Sequence, residues 1–273
     1  MTETSQADPA AEKAARASSF GGVAEQYEAF RPGPPGEALD WILGGRVDTA
    51  VDLGAGTGGC TRVLLPRADT VFAIEPDDRM RAVLSAQVPG ATAHKGTGES
   101  MPLPDASADA VVASASWHWM DPIPALTEIG RVLRPGGVFG AVWAGPDPEG
   151  PFMSQARALL EQTPSGGDGG GSLADAVTGG ANLPDARLEI PDDGSVPFDQ
   201  PEFETFRWDI ALTADDLIGL LGTMSWVILM EDEARSTLFD TARRLLGDAL
   251  GIKDAVTVDV AYQADTYRAR RHA

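Results

Sequence analysis

The string VDLGAGTGG, residues 51–59, constrains this chain more than any other segment. It follows a short apolar run and opens a helical pattern. Glycines at 54, 56, 58 and 59 let the backbone turn sharply and come close to a ligand. Around this loop, from Thr49 to Trp143, short β-branched runs alternate with helical patterns. Strands are expected at Ala50–Leu53, Thr70–Ile74, Ala91–His94, Ala110–Ala113 and Val138–Trp143, and helices at Cys60–Pro66, Asp78–Gln87 and Pro124–Leu133. That alternation implies βαβ units and a parallel sheet covered on both faces. Asp77 is placed to cap one helix, and Arg131 and Arg134 suit the last turn of another before Pro135 stops it.

The loop satisfies two ligand patterns. Gly54, Gly56 and Gly59 form the G-x-G-x-x-G of dinucleotide sites. Asp52, Gly54, Gly56 and Gly58 form the D-x-G-x-G-x-G of S-adenosylmethionine sites. Asp52 helps to decide, because a carboxylate beside the loop repels a pyrophosphate and suits a ligand carrying an ammonium and a sulfonium. Glu75, at the end of the second strand, is suited to accept hydrogen bonds from ribose hydroxyls. Gly96, Thr97 and Gly98 follow the third strand and can lie against a flat base, although an ordinary loop has the same composition. SASWHWMD, residues 114–121, follows the fourth strand, and ligands of open α/β sheets sit beyond strand carboxyl ends. Trp117 and Trp119 can wall such a pocket or pack beneath the next helix. His118 can orient an acceptor, take its proton, or line the pocket.

The second half is looser. Phe152–Gln162, Asp215–Leu221 (extended toward Met230) and Ala234–Leu250 read as helices, Glu204–Leu212 and Thr257–Tyr262 as strands, and Pro164–Ser172 as a low-complexity loop. The expected whole is an α/β fold. A seven-stranded, mostly parallel Rossmann-like sheet carries helices on both faces and an inserted helical cap. Residues 1–18 form a polar, disordered tail, 19–48 lid helices, 49–143 the cofactor-binding core, and 144–273 the cap and the strands that complete the sheet. In the cap, Phe152, Met153, Met224, Trp226 and Met230 are candidates for the acceptor pocket or for core.

VDLGAGTGG, AIEP, GTGESMPLPDASADAVV, SASWHWMD and RVLRPGG, in this order and spacing, resemble the class I S-adenosylmethionine-dependent methyltransferases. The likeness is in particular to the type 11 group related to ubiquinone and menaquinone biosynthesis methyltransferases. FGGVAEQYEAFRPGPP, residues 20–35, and the C-terminal VTVDVAYQADTYRARR extend the likeness over most of the chain. The resemblance implies methyl transfer from S-adenosyl-L-methionine, with S-adenosyl-L-homocysteine as product and no metal. It implies that Gly54, Ala55 and Gly56 line the methionine part and that Asp52 meets its amino group. Glu75 would hold the ribose, with Pro76 beside the adenosine. Thr97, Gly98 and Glu99 would border the adenine, Ser114 would complete the cofactor set, and Tyr27 and Arg31 would reach the methionine carboxylate. Many relatives carry Ala where this chain has Gly98, which on a backbone contact matters little. Trp117, Trp119 and Trp226 are the expected substrate contacts and His118 the expected catalytic residue. An NAD(P)-dependent oxidoreductase and a methyltransferase-fold protein without transferase activity are the alternatives.

Composition narrows the partners. Lys and Arg number 21 against 41 Asp and Glu, a net charge of −20, which repels phosphate backbones and anionic membrane surfaces. The one cysteine, Cys60, forbids an internal disulfide, and three scattered histidines disfavour a metal cluster. No run is long and apolar enough to span a bilayer. A cytoplasmic protein acting on a small-molecule acceptor is expected, without nucleic acid or membrane, and a homodimer is left open.

Overall fold

The computed structural model describes residues 19–161, 187–249 and 256–273. The tail at 1–18 and the loop at Pro164–Ser172 lie outside the described residues, as does the end of the helix expected to reach Leu250.

A 3-10 turn, Phe20–Val23, leads into α1 (Ala24–Phe30), and α2 (Gly36–Leu43) follows. The alternating core runs β1 (Val47–Leu53), α3 (Gly59–Leu64), β2 (Ala68–Ile74), α4 (Asp78–Gln87), β3 (Thr92–His94), β4 (Ala108–Ser114), α5 (Pro122–Val132) and β5 (Leu133–Pro146). The remainder is α6 (Pro151–Glu161), β6 (Glu202–Leu212), α7 (Ala214–Gly222), α8 (Ser225–Ile228), α9 (Asp232–Arg244) and β7 (Val258–Arg270). The seven strands lie in the order β3-β2-β1-β4-β5-β7-β6. The first five are parallel, and β7 runs antiparallel between β5 and β6. The expected seven-stranded, mostly parallel sheet is therefore present.

Strand pleating sends alternate residues to opposite faces. Val111 and Ala113 of β4 join Phe139 of β5 on the face covered by Leu126 and Ile129 of α5. Ala110 and Val112 join Val138 and Val142 under Leu39 and Ile42 of α2 and Leu64 of α3. Both sets are fully or almost fully buried, which is why these strands read as unbroken apolar runs. A third cluster joins α7, α8 and α9 to the start of β7 through Ile218, Leu221, Val227, Ala242, Val260 and Tyr262.

Several boundaries differ from expectation: the strand expected at Val138–Trp143 runs from Leu133 to Pro146, and the helix expected from Asp215 toward Met230 is broken into α7 and α8. Helix α5 ends at Val132 and Leu133 is already extended, so Arg134 is not in a last helical turn. Its guanidinium instead pairs with Asp109. Strand β7 does not stop at Tyr262 but continues to Arg270, paired with β5 on one side and β6 on the other.

Candidate functional site

The glycine loop is fastened to its neighbours by backbone bonds. Gly54 and Ala55 N–H both donate to the Ile74 carbonyl, at 2.8 and 3.0 Å, so the loop is tied to the end of β2. Gly54, Gly56 and Gly58 have φ of +70°, +55° and +98°, where L side chains are strained. A Cβ on Gly54 would stand 2.5 Å from Cβ of Ser116. Ser116 in turn donates its hydroxyl to the Leu53 carbonyl at 2.6 Å.

Two carboxylates flank the loop. Asp52 has no exposed surface. Its Oδ2 accepts the Thr61 hydroxyl at 2.5 Å, while Oδ1 is buried without a partner. Burial pushes its carboxyl up to about 7; the Thr61 bond opposes this and Glu75 adds to it. Burial, then the neighbouring Asp52, also raises the Cys60 thiol. Glu75 accepts from Gly56 N–H at 2.8 Å and from Asp77 N–H at 2.9 Å. Burial still raises its carboxyl, against those two backbone donors. Asp77 caps α4, accepting from Arg79 and Met80 N–H at 2.8 and 3.1 Å.

A cavity of about 290 Å³ opens above the loop. One end is bordered by Glu75–Asp77 and Gly96–Glu99. The other is bordered by Ser114, the end of β5 at Ala144–Pro146, Leu220 and Met224 from the α7 region, and Tyr262 of β7. Phe20, Tyr27, Arg31 and Trp119 complete the wall. The Phe20 ring meets both Tyr27 and Trp119 edge-on, with centroids 5.8 Å apart in each case. Arg31 ties α1 to the C-terminal half: Nε donates to Thr223 Oγ1 at 3.0 Å and Nη2 to Met224 Sδ at 3.3 Å, and its guanidinium lies 5.4 Å from the Tyr27 ring centre. Among the described residues no cluster of His, Cys, Asp or Glu could hold a metal ion, and no helix is long and apolar enough to cross a membrane.

An uncharacterized methyltransferase of Mycobacterium tuberculosis is 36% identical over 228 residues, covering 84% of this chain and 85% of the relative. The chain belongs to the class I S-adenosylmethionine-dependent methyltransferases of type 11. The family model described as "Methyltransferase domain" matches residues 51–141 of this methyltransferase. An uncharacterized methyltransferase-like protein of Schizosaccharomyces pombe is 33% identical over 139 residues, 49% of this chain and 54% of its own. A solved structure described as a candidate type II methyltransferase from Anaeromyxobacter dehalogenans superposes with a TM-score of 0.57 at 25% identity, covering 89% of this chain and 98% of that one. The oxidoreductase alternative is thereby set aside, and the methyl donor implied for the family is S-adenosylmethionine.

The structure of the methyltransferase sorts the expected site residues. Tyr27, Arg31, Asp52, Gly54, Ala55, Gly56, Glu75, Pro76, Thr97, Gly98, Glu99, Ser114 and Trp119 all border the one cavity. Three do not. Trp117 is buried against Phe139, centroids 5.1 Å apart, because the 3-10 turn Trp117–Trp119 sends its first ring into the core and its last to the cavity. His118 stands behind the wall, where its Nδ1 accepts Trp143 Nε1–H at 3.2 Å and its ring lies 4.6 Å from Trp119. Trp226 packs on the third cluster, and of the five cap candidates only Met224 reaches the cavity. Gly98 is also less permissive than expected, because a Cβ there would lie 2.3 Å from Met120 Sδ. Tyr262 was missed altogether as a site residue. Its signal was the alternation Val260, Tyr262, Ala264, Thr266, which puts all four on the buried side of β7.

Proposed function

We propose that this methyltransferase transfers the methyl group of S-adenosylmethionine to a small-molecule acceptor bound at the β5–β7 end of the cavity. The observation that carries this reading is Asp52: a buried carboxylate oxygen without a partner, beside a glycine loop with three positive-φ residues. An orphaned acceptor calls for a donor, and an α-ammonium group supplies one along with the opposite charge. The residues present therefore fit the donor. Glu75 keeps lone pairs on both oxygens after accepting from Gly56 and Asp77, so it can accept the ribose hydroxyls as well. Thr97, Gly98 and Glu99 border the adenine, with Pro76 beside it.

S-adenosylmethionine, when bound, supplies an electrophilic methyl on a sulfonium. The chain's own part is to hold the two reactants in line and to exclude water. Phe20, Tyr27 and Trp119 serve the second task as an aromatic wall. An acidic chain whose cavity is bordered at its acceptor end by Leu220, Met224 and Tyr262 suits a small molecule better than a nucleic acid. Calorimetry with S-adenosylhomocysteine and with NAD tests the donor assignment. Heat with the first and none with the second is expected, and the reverse would refute it. Comparison of low-molecular-weight metabolites with bulk protein and RNA as acceptors of labelled methyl tests the small-molecule assignment.

A further inference from the structure

Among the described residues, the acceptor end of the cavity offers donors and no base. None of the chain's three histidines borders it. His94 lies against Phe72, His118 takes the Trp143 indole N–H, and His272 stands 3.2 Å from Asp199. Of the acids that border the cavity, Glu75, Asp77 and Glu99 belong to its other end and accept from backbone N–H groups there, while Asp52 lies beneath the glycine loop, where Oδ2 accepts the Thr61 hydroxyl and Oδ1 faces the donor's ammonium in the reading above. Among the described residues, nothing at that end stands placed to take a proton from an acceptor.

Two groups at that end are under-used. Among the described residues, Arg31 is the only cation that borders the cavity, and no carboxylate pairs with it although the chain carries a net charge of −20. Its hydrogen bonds go to a neutral hydroxyl and a thioether, which leaves N–H groups over. Tyr262 borders the same region at 2% exposure, and its hydroxyl has no hydrogen-bond partner. Burial pushes the phenol up to about 12, so it stays protonated, while the Arg31 charge acts on it in the opposite direction. The two groups are thus within electrostatic reach of each other.

We propose that Arg31 and Tyr262 form an anion subsite and that the acceptor is a small apolar molecule bearing a carboxylate, methylated on oxygen to its ester. The proposal rests on the donor reading above. A carboxylate accepts from a guanidinium and a phenol together, and it is already a nucleophile at neutral pH. In the transfer a carboxylate oxygen forms a bond to the methyl carbon, the sulfur–methyl bond breaks, and its electron pair stays on sulfur. No proton moves. The carboxylate and sulfonium charges cancel, leaving a neutral ester and a neutral thioether, so the product loses its charge attraction to Arg31.

The test is calorimetry on the chain saturated with S-adenosylhomocysteine, titrated with octanoate, phenylacetate and benzoate and with methyl benzoate and benzamide as neutral controls. Binding of at least one carboxylate, about tenfold or more tighter than the neutral controls, is expected. Tyr262→Phe should weaken that binding by about tenfold and leave S-adenosylhomocysteine affinity within about twofold, and Arg31→Met should weaken the carboxylate binding by about tenfold or more. With labelled S-adenosylmethionine, the methyl should appear in an alkali-labile product. Equal binding of acids and neutral controls, no binding of any acid, or an alkali-stable product would overturn the subsite. So would a large loss of S-adenosylhomocysteine affinity in Arg31→Met, which would assign Arg31 to the donor's own carboxylate. Failure of the parent chain to bind S-adenosylhomocysteine would overturn both proposals; intact binding with indifference to acids overturns this one alone. Tyr262→Phe, which keeps the ring, reads the subsite even if Arg31→Met does not fold.

Discussion

Substitution of Asp52 by Asn should stabilise the unliganded protein at alkaline pH. The unfolded carboxyl ionises near 3.8 and the folded one near about 7, because burial disfavours the charge. Between those values the folded state holds a proton that the unfolded state has released. Stability on this account is complete at low pH, falls as pH rises through the window, and is lowest above about 7. The gap corresponds to on the order of 4 kcal/mol, at about 1.4 kcal/mol for each pH unit between the two values. Asn keeps the shape, can still meet the Thr61 hydroxyl, and carries no charge. Urea unfolding of parent and Asp52→Asn chains from pH 4 to pH 8.5 should show the variant gaining on the parent by about 4 kcal/mol across the range, or roughly 10 °C in melting temperature. Saturating S-adenosylhomocysteine should shrink that gain, because an ammonium beside Asp52 favours the ionised form. For the same reason parent affinity for that ligand should rise from pH 5 to 7 and then level, while the variant shows no such rise. Parallel stability curves for the two chains would refute the argument from burial.

Three further outcomes follow from the geometry. Glu75→Gln should weaken S-adenosylhomocysteine binding by about tenfold or more in calorimetry, because it removes a charged acceptor from the ribose and from the Gly56 and Asp77 N–H groups. Gly98→Ala should lower unfolding stability by about 1 kcal/mol in urea, since its Cβ would overlap Met120 Sδ and that side chain must shift, and the same substitution should cost less in a Met120→Ala background than in the parent. His118→Asn should leave turnover within about threefold and the pH–rate profile unchanged, since the imidazole stands behind the wall; loss of about 100-fold with an altered acidic limb would make it a base after all.

The sheet was legible because its buried strands are continuous apolar runs and its helices carry their own end signals. Helix α4 falls on the expected residues because Asp77 caps it through two backbone N–H groups. The C-terminal strand was cut short because Gln263, Asp265, Arg268 and Arg270 mask the pattern. The fold hides their polarity: Arg268 lies over the Trp41 ring at 4.2 Å and pairs with Glu202. The loop side of the cavity could be read residue by residue, since glycine spacing and flanking acids are local. Which of Trp117, His118 and Trp119 faces the cavity depends on the rotation of one 3-10 turn, which composition does not encode. Tyr262 reaches the site only through the antiparallel pairing of β7 with β5, and Arg134 left its helix for an aspartate 25 residues away.

The family match closes at residue 141, whereas Pro146, Leu220, Met224 and Tyr262 come after it and Phe20, Tyr27 and Arg31 before it. One end of the cavity is thus written in a single unbroken stretch, and the other is stitched from both flanks of the chain, as the Arg31–Thr223 bond across 192 positions records. Such a layout lets the two ends drift independently in inheritance. A change in either flank reaches the second end and leaves the backbone bonds of the glycine loop to β2 untouched, so the flanks are the natural unit to swap between chains of this fold.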